Sequence, residues 1–365
     1  MSTRRRPIGT RHQPGRTWRT FGAVAGMALL AGLLAACGGA VPGATDDSVV
    51  SQSITLYNGQ HEQTTDALVA GFEKATGITV NVRNDDEDTL ADQIVSEGSH
   101  SRADVIYTEN SQALEFLQSK GLLATVDRAT LADTPAQYDS PQGDWLGVSA
   151  RVSVIIYNPA LISQSQLPTS VMQLADPKYR DKLAVAPQET DFQPIITSVV
   201  RADGQAAALH WLDGIKSNAG SHVYPDNETI AEQVNRGSVG FGLINQYYWY
   251  RMRAEIGVAN TKARIAYFSA RDPGYVVDVS GAAVLKSSAH SSAAQKFLAY
   301  LVSPAAQEII ANPAKSISFE YPIASGVTTQ AGETPFNLLQ PYPITVAGLG
   351  TGTAAIGLMR QAGLL

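Results

Sequence analysis

The chain of 365 residues contains a single cysteine, Cys37. No disulfide can form within it, so whatever folds must hold together by its core alone. Outside residues 21–36 no apolar run is long enough to suggest a membrane span, and no internal repeat or low-complexity block interrupts the pattern. Basic residues are scarce. Of 27 Lys and Arg against 33 Asp and Glu, six arginines (Arg4, Arg5, Arg6, Arg11, Arg16 and Arg19) lie within the first 36 residues. Setting those six aside leaves 21 basic against 33 acidic residues, a balance of −12. Such a charge repels nucleic acid and attracts cations weakly, without selecting one; it can equally be a solubility device. Also missing are Gly-x-Ser-x-Gly, His-Glu-x-x-His and a Gly-rich phosphate loop. Hydrolase, zinc-protease and nucleotide-binding readings therefore have no motif behind them.

What is present begins at the N-terminus. An acid-free basic stretch and the apolar run 21–36 read as an export signal. The run ends Leu34-Ala35-Ala36-Cys37-Gly38-Gly39, which resembles the lipobox of bacterial lipoproteins. The resemblance implies that residues 1–36 are removed and Cys37 is lipidated. Residues 37–52 would then be the lipidated end and a flexible tether, and the protein would be extracytoplasmic, anchored to the cell membrane by lipid. The plainer alternative is a stray buried thiol behind an ordinary cleavage site.

About 310 residues follow, more than one hydrophobic core usually serves, which suggests two lobes. The pattern predicts strands over 53–57, 78–82 and 104–107. Helices are expected over 62–75, around Leu90, Ile94 and Val95, and around Ala113, Phe116 and Leu117, with Gly77, Gly98 and Gly121 placed to end them. Further on, strands are expected over 183–186 and 239–244, and helices over 192–200, 206–215, 227–235, 293–301, 305–311 and 353–362. Alternating strands and helices predict an α/β fold, each lobe a mostly parallel sheet flanked by helices. Ligands of such sheets bind beyond the carboxyl ends of the strands, which brings Asn58-Gly59-Gln60-His61-Glu62 and Thr108-Glu109-Asn110 into view. A β-branched segment at 152–157 and a return through 275–285 would make two hinge crossings, and a cleft that closes on its ligand. The expected lobes are 53–150 plus about 276–325, and about 151–275 plus 326–365.

The most informative stretch is Ile244-Asn245-Gln246-Tyr247-Tyr248-Trp249-Tyr250. It sets two neighbouring phenols at the end of a short apolar strand, where the backbone turns and both side chains can project toward one point. A phenol has a reference pKa of about 10, so it ligates at neutral pH only when a strongly Lewis-acidic ion displaces its proton. Ferric iron is such an ion, and as a hard cation it favours phenolate and carboxylate oxygens. The alternative is an aromatic cluster that fills a core with its hydroxyls reaching water.

Four segments together resemble the ferric-iron-binding receptors of bacterial ABC importers: Tyr57-Asn58-Gly59-Gln60-His61, Ala103-Asp104-Val105-Ile106-Tyr107-Thr108-Glu109, the tyrosine stretch, and Ser280-Gly281-Ala282-Ala283-Val284-Leu285-Lys286. Asp176-Pro177-Lys178-Tyr179 and Glu320-Tyr321-Pro322 extend the similarity, though such pieces speak for fold more than for iron. The resemblance implies a two-lobed class II periplasmic-binding-protein fold and a monomer that hands its ligand to the permease of an ABC importer. It also implies Fe(III) ligation by His61, Glu109, Tyr247 and Tyr248, the first two from one lobe and the phenols from the other. The remaining histidines, His12, His100, His210, His222 and His290, have no partner motif.

The family commonly completes the metal's coordination with a small anion such as carbonate or phosphate. Asn227 and Asn245 match asparagines of that pocket, and Asn110 stands where glutamine is frequent. Where the family pattern has Ser-Gly-Ala opening a helix, this chain has Glu189-Thr190-Asp191. A carboxylate there would compete with an external anion for the helix N-terminus. Glu189 is the first candidate to replace the anion and Asp191 the second; otherwise both acids cap the helix and point into solvent.

Two other functions compete. A receptor of the same fold could use Tyr247 to Tyr250 to stack on thiamine, a polyamine, an aminophosphonate or a sugar. A non-haem iron enzyme would favour two histidines and one carboxylate around ferrous iron with open positions, whereas two phenolates favour the ferric state.

Overall fold

The computed structural model describes residues 52–324, 326–327 and 332–365. The expected signal, Cys37 and the tether up to residue 51 lie outside the described residues. No helix among the described residues is long and apolar enough to cross a membrane.

The first half builds up as the alternation predicts. β1 (Ser53–Gly59) leads to α1 (Glu62–Thr76), whose Leu68, Val69 and Phe72 face inward and which Gly77 ends in a left-handed conformation with φ 71°. Then come β2 (Thr79–Asn84), α2 (Glu87–Glu97), β3 (Val105–Thr108), α3 (Ser111–Ser119) and the short α4 (Arg128–Leu131). The Asp86 side chain starts α2 by accepting from the amides of Asp88 and Thr89. Next, β4 (Leu146–Tyr157) runs twelve residues, buried throughout. It begins six residues before the β-branched segment that marks it in sequence. Gly147, Ser149 and Ala150 are poor strand formers, and it is burial between neighbouring strands that holds them extended.

The second half comprises β5 (Leu183–Ala184), α5 (Phe192–Asp203), α6 (Gln205–Ala219), α7 (Asn227–Arg236), β6 (Phe241–Asn245), α8 (Gln246–Ile256) and β7 (Arg264–Ala266). The chain returns through β8 (Val277–Val284) and adds α9 (Ser291–Leu301), α10 (Pro304–Ala311), β9 (Tyr321–Pro322) and α11 (Thr353–Ala362).

The strands line up in the order β2-β1-β3-β8-β4-β6-β5, with β7 and β9 on β4. Among the named strands of the described residues, parallel pairing holds only for β1 with β2, β1 with β3 and β5 with β6. Every pair made by β4 or β8 is antiparallel, so the expectation of mostly parallel sheets is corrected to a mixed one. The cause is the crossing itself, since a strand that returns from the other half enters its neighbours' sheet against their direction. Residues 146–152 of β4 pair with β8 and residues 153–157 with β6, which makes β4 and β8 the two connections. One core lies under α1, α9 and α10, where Phe72 meets Phe297 edge to face at 5.0 Å. Another surrounds Trp211, Ile155 and Leu243, and α11 packs there on α5 and α6.

The end of β1 depends on a glycine. A Cβ on Gly59 would sit 2.5 Å from Glu87 Cβ and 2.8 Å from its Cα. Gly59→Ala is expected to destabilise the protein by about 1–3 kcal/mol through overpacking, read as a lower denaturation midpoint with unchanged slope, and to push the following loop outward.

Candidate functional site

The loop after β1 carries His61, the residue before α1; Glu109 sits between β3 and α3; Tyr247 and Tyr248 fill the first turn of α8, directly after β6. All four stand where a strand ends and a helix begins, and the structure brings them to one point. The Tyr247 hydroxyl donates to Glu109 Oε1, and the Tyr248 hydroxyl donates to the same oxygen at 3.3 Å. His61 Nε2 lies 3.4 Å from that oxygen and 3.3 Å from the Tyr247 oxygen. Neighbouring donors around an octahedral ion with ~2.1 Å bonds sit about 3 Å apart, a spacing these four residues approach, which makes them a candidate ligand set. Counting only His, Cys, Asp and Glu, no group of three among the described residues is arranged to hold an ion; the phenols complete the number.

Protons are distributed to match. Burial pushes both phenols well above their ordinary pKa, and the carboxylates of Asp191 and Glu109 push the same way. Burial would also raise Glu109, but His61, Arg151 and the Tyr247 hydrogen bond outweigh it and hold that carboxyl at about 2. For His61, burial opposes the charged form, and Glu109 more than offsets it, so its pKa is raised. One permanent carboxylate thus collects hydrogen bonds from two neutral phenols and faces an imidazole.

At the Glu189-Thr190-Asp191 departure the geometry reverses the order of the two acids. Asp191 is 6% exposed and occupies the residue before α5, yet its side chain caps nothing. Its Oδ2 accepts from Asn227 Nδ2 at 3.0 Å and from the Tyr247 hydroxyl at 3.3 Å, while Oδ1 lies 4.0 Å from Arg151 Nε. Burial and then Glu109 raise Asp191 to about 7, with Arg151 pulling the other way. Glu189 is only half-buried and makes no side-chain hydrogen bond among the described residues. Burial and the acids Asp191, Glu109, Glu228 and Asp226 raise it to about 9, and no hydrogen bond turns its carboxyl toward the phenols as one does for Asp191.

The remaining predicted residues surround this point. Asn227 and Asn245 line, with Asp191, a cavity of about 10 Å³, scarcely the room that one water requires. Thr190 Oγ1 accepts from Asn110 Nδ2 at 2.9 Å, and the same amide nitrogen donates to Glu87 at 2.9 Å. Gln193 on α5 donates to Asp88 on α2 at 3.1 Å. Direct hydrogen bonds therefore join the two halves beside the ligand set. That set opens into a cleft of about 390 Å³ walled by His61, Glu109, Asp85, Glu228 and Arg251. A larger cavity of about 960 Å³ runs along α7 and α8 and meets the ligand set only at Tyr248.

Two participants escaped the sequence reading. Glu87, 3% exposed, anchors Asn110 through both its amides. Arg151, 1% exposed, lies on β4 among Asp278, Asp191, Glu320 and Glu109, which keep it charged against the effect of burial. A signal for Arg151 existed, because a lone charge inside an otherwise uncharged strand demands a partner. Glu87 reads as an ordinary acid in the first turn of a helix.

The profile of the bacterial extracellular solute-binding protein family matches residues 58–308. The chain is 38% identical over 314 residues to the Fe(3+)-binding periplasmic protein of Serratia marcescens, covering 86% of this chain and 91% of that one. Iron-bound HitA from Pseudomonas aeruginosa is similar in structure, with TM-score 0.81 and 39% identity over 86% of this chain and 99% of HitA. A Trichodesmium protein (IdiA, FutA) in complex with iron and citrate ligands gives TM-score 0.73 and 31% identity, covering 85% and 99%.

Proposed function

The chain belongs to the bacterial extracellular solute-binding protein family, and from that premise we propose that it is an extracytoplasmic receptor that captures Fe(III) between two lobes and delivers it to an ABC importer. The observation that carries this reading is the convergence of two buried phenols, an imidazole and two carboxylates from both sides of the β4 and β8 crossings. His61, Glu109, Tyr247 and Tyr248 ligate the ion, and Asp191 takes a position that relatives of the resembled type leave to an external anion. Five protein ligands leave one octahedral position, open to a small anion such as carbonate or phosphate, or to water, on the side of the cleft. With both phenols ionised the four anionic ligands exceed the ion's charge by one, and Arg151 offsets that excess from 4.0 Å behind Asp191.

Capture couples to closure because neither half holds the full set. The lobes of this proposal are 53–150 plus about 276–325, and about 151–275 plus 326–365, hinged at β4 and β8. Lipidation of Cys37, a tether through residue 52 and a monomeric state complete the proposal. Transport rather than catalysis follows from two phenolates that stabilise the ferric state. An organic-solute receptor would have no use for a carboxylate and an imidazole both within 3.5 Å of the Tyr247 oxygen.

The test is metal analysis of the purified protein together with its visible spectrum: one iron per chain and a phenolate-to-iron charge-transfer band are expected, and a colourless organic-solute complex overturns the reading. Proton release gives a second check. Both phenols are protonated until the ion displaces them, so loading at pH 7 should release about two protons plus the shares carried by Asp191 and His61. Since binding expels protons, affinity falls as pH falls, by about 100-fold or more from pH 7 to pH 6. Release of fewer than one proton, measured in weakly buffered solution, contradicts the ligand set.

A further inference from the structure

Two of the ligand-bearing loops, those of His61 and Tyr247, have a buried glutamine directly before the ligand, and both glutamines reach the same dipeptide. Gln60, 3% exposed, precedes His61; Gln246, fully buried, precedes Tyr247. The Gln60 carboxamide accepts from the His61 amide at 2.7 Å through Oε1, and its Nε2 donates to the Ser280 hydroxyl and, at 3.2 Å, to the Glu320 carboxylate. The Gln246 carboxamide accepts from the Val152 amide on β4 at 2.8 Å, and its Nε2 donates to the Phe319 carbonyl at 3.2 Å. Phe319 and Glu320 thus take hydrogen bonds from both sides of the site.

The dipeptide is itself held in an unusual way. Phe319 adopts φ 55°, the left-handed region that a bulky side chain seldom enters, and its ring stacks on Tyr250 at 6.1 Å. That turn points Glu320 inward, where it is 1% exposed. There Ser149 on β4 and Ser280 on β8 donate to the carboxylate, Ser280 at 3.2 Å, and Ser280 also bonds Arg151. A buried carboxylate costs free energy unless neighbours satisfy it. Glu320 is satisfied by one residue from each crossing strand and by the glutamine beside His61.

We propose that Glu320 is a positioning residue for iron: it holds the Gln60 carboxamide in the one orientation that engages the His61 amide, and so fixes the imidazole relative to the hinge strands. This rests on His61 being a ligand. The effect belongs with outer-shell partners of metal ligands, whose loss costs about 10- to 100-fold in affinity.

The test is a double-mutant cycle read as Fe(III) affinity by competition with citrate, with the melting temperature of the metal-free protein measured in parallel. E320Q leaves a single amide oxygen for Gln60, Ser149 and Ser280, which share two carboxylate oxygens in the parent, and is expected to weaken binding about 10- to 100-fold while the visible band persists, because the phenolates remain. In an H61A background E320Q should cost less than about 3-fold more, since its route of action is gone. The exchange Q60E/E320Q keeps an acceptor for the His61 amide and a donor-acceptor match between the two side chains; it should restore affinity to within about 3-fold of the starting protein. An H61A variant that binds as tightly as the parent removes His61 as a ligand and the proposal with it. If H61A weakens binding but the E320Q loss adds in full, or a well-folded Q60E/E320Q protein stays weak, the ligand stands and the anchor falls. A poorly folded E320Q leaves the exchange variant to decide.

Discussion

Changing Tyr247 and Tyr248 together to phenylalanine should abolish the visible band and weaken Fe(III) binding by ~10⁴-fold or more, while the metal-free protein melts almost where the parent does. The loss of affinity is bounded from below by what supporting residues cost. Removing an outer-shell partner of a metal ligand costs up to ~100-fold, so removing two ligands costs at least the square of that. The small change in stability follows from what stays behind. Both rings are buried, at 0% and 2% exposure, and lie 4.2 Å apart. Phenylalanine keeps that packing and gives up the hydrogen bonds to Glu109 and the longer Tyr247 contacts with Asp191 and His61, each worth about 1 kcal/mol net, while Glu109 retains His61 and Asp191 retains Asn227 as partners. If the phenols merely filled a core, the opposite pattern would appear, with stability disturbed and iron binding untouched. Each single substitution should shift or weaken the band and leave some colour, because one phenolate remains; a single variant with the parent's spectrum would mean that only one of the two is a ligand.

Much of this site could be read before the fold was known, because ligation needs rare residues at strand ends. His61 and Glu109 follow strands that hydrophobic alternation marks, and paired phenols announce themselves by type. What stayed hidden was the set of contacts between segments far apart in sequence. Asp191 and Glu189 are two residues apart in one loop, and local sequence cannot tell which of them turns toward Tyr247. Asn227, Arg151 and the steric limit of the 10 Å³ cavity decide that. The same holds for the fold. Helix boundaries were legible from caps such as Gly77 and Gly98, yet the antiparallel course of β4 and β8 depends on how the second half returns, which no local period encodes. The early start of β4 was hidden because small residues there take their conformation from neighbours.

The same tertiary contacts produce the second large effect. In buffer stripped of phosphate and carbonate the chain is expected to form a stable Fe(III) complex, and Asp191→Ala should weaken that complex about 100-fold until an anion is supplied. Asp191 Oδ2 already lies 3.3 Å from the Tyr247 oxygen, within reach of an ion bound there. Behind it only about 10 Å³ is free, so phosphate cannot occupy this place while the carboxylate does. Removing the carboxylate opens the volume and leaves Asn227 Nδ2 and Arg151 Nε facing it, a donor pair suited to an external anion. Affinity in the variant should therefore climb with phosphate concentration where the parent's barely moves. The triple change E189S/T190G/D191A should show the same dependence with a faster loss of iron, because it also removes the Thr190 acceptor that ties Asn110 across the halves. E189Q alone should behave as the parent, since the half-buried Glu189 side chain makes no hydrogen bond to the phenols, Glu109 or His61. A parent protein that binds no iron until an anion is added, or an Asp191→Ala protein that binds without one as tightly as the parent, would show that the acid before α5 is no ligand and that its burial beside Arg151 serves only the closed arrangement of the two halves.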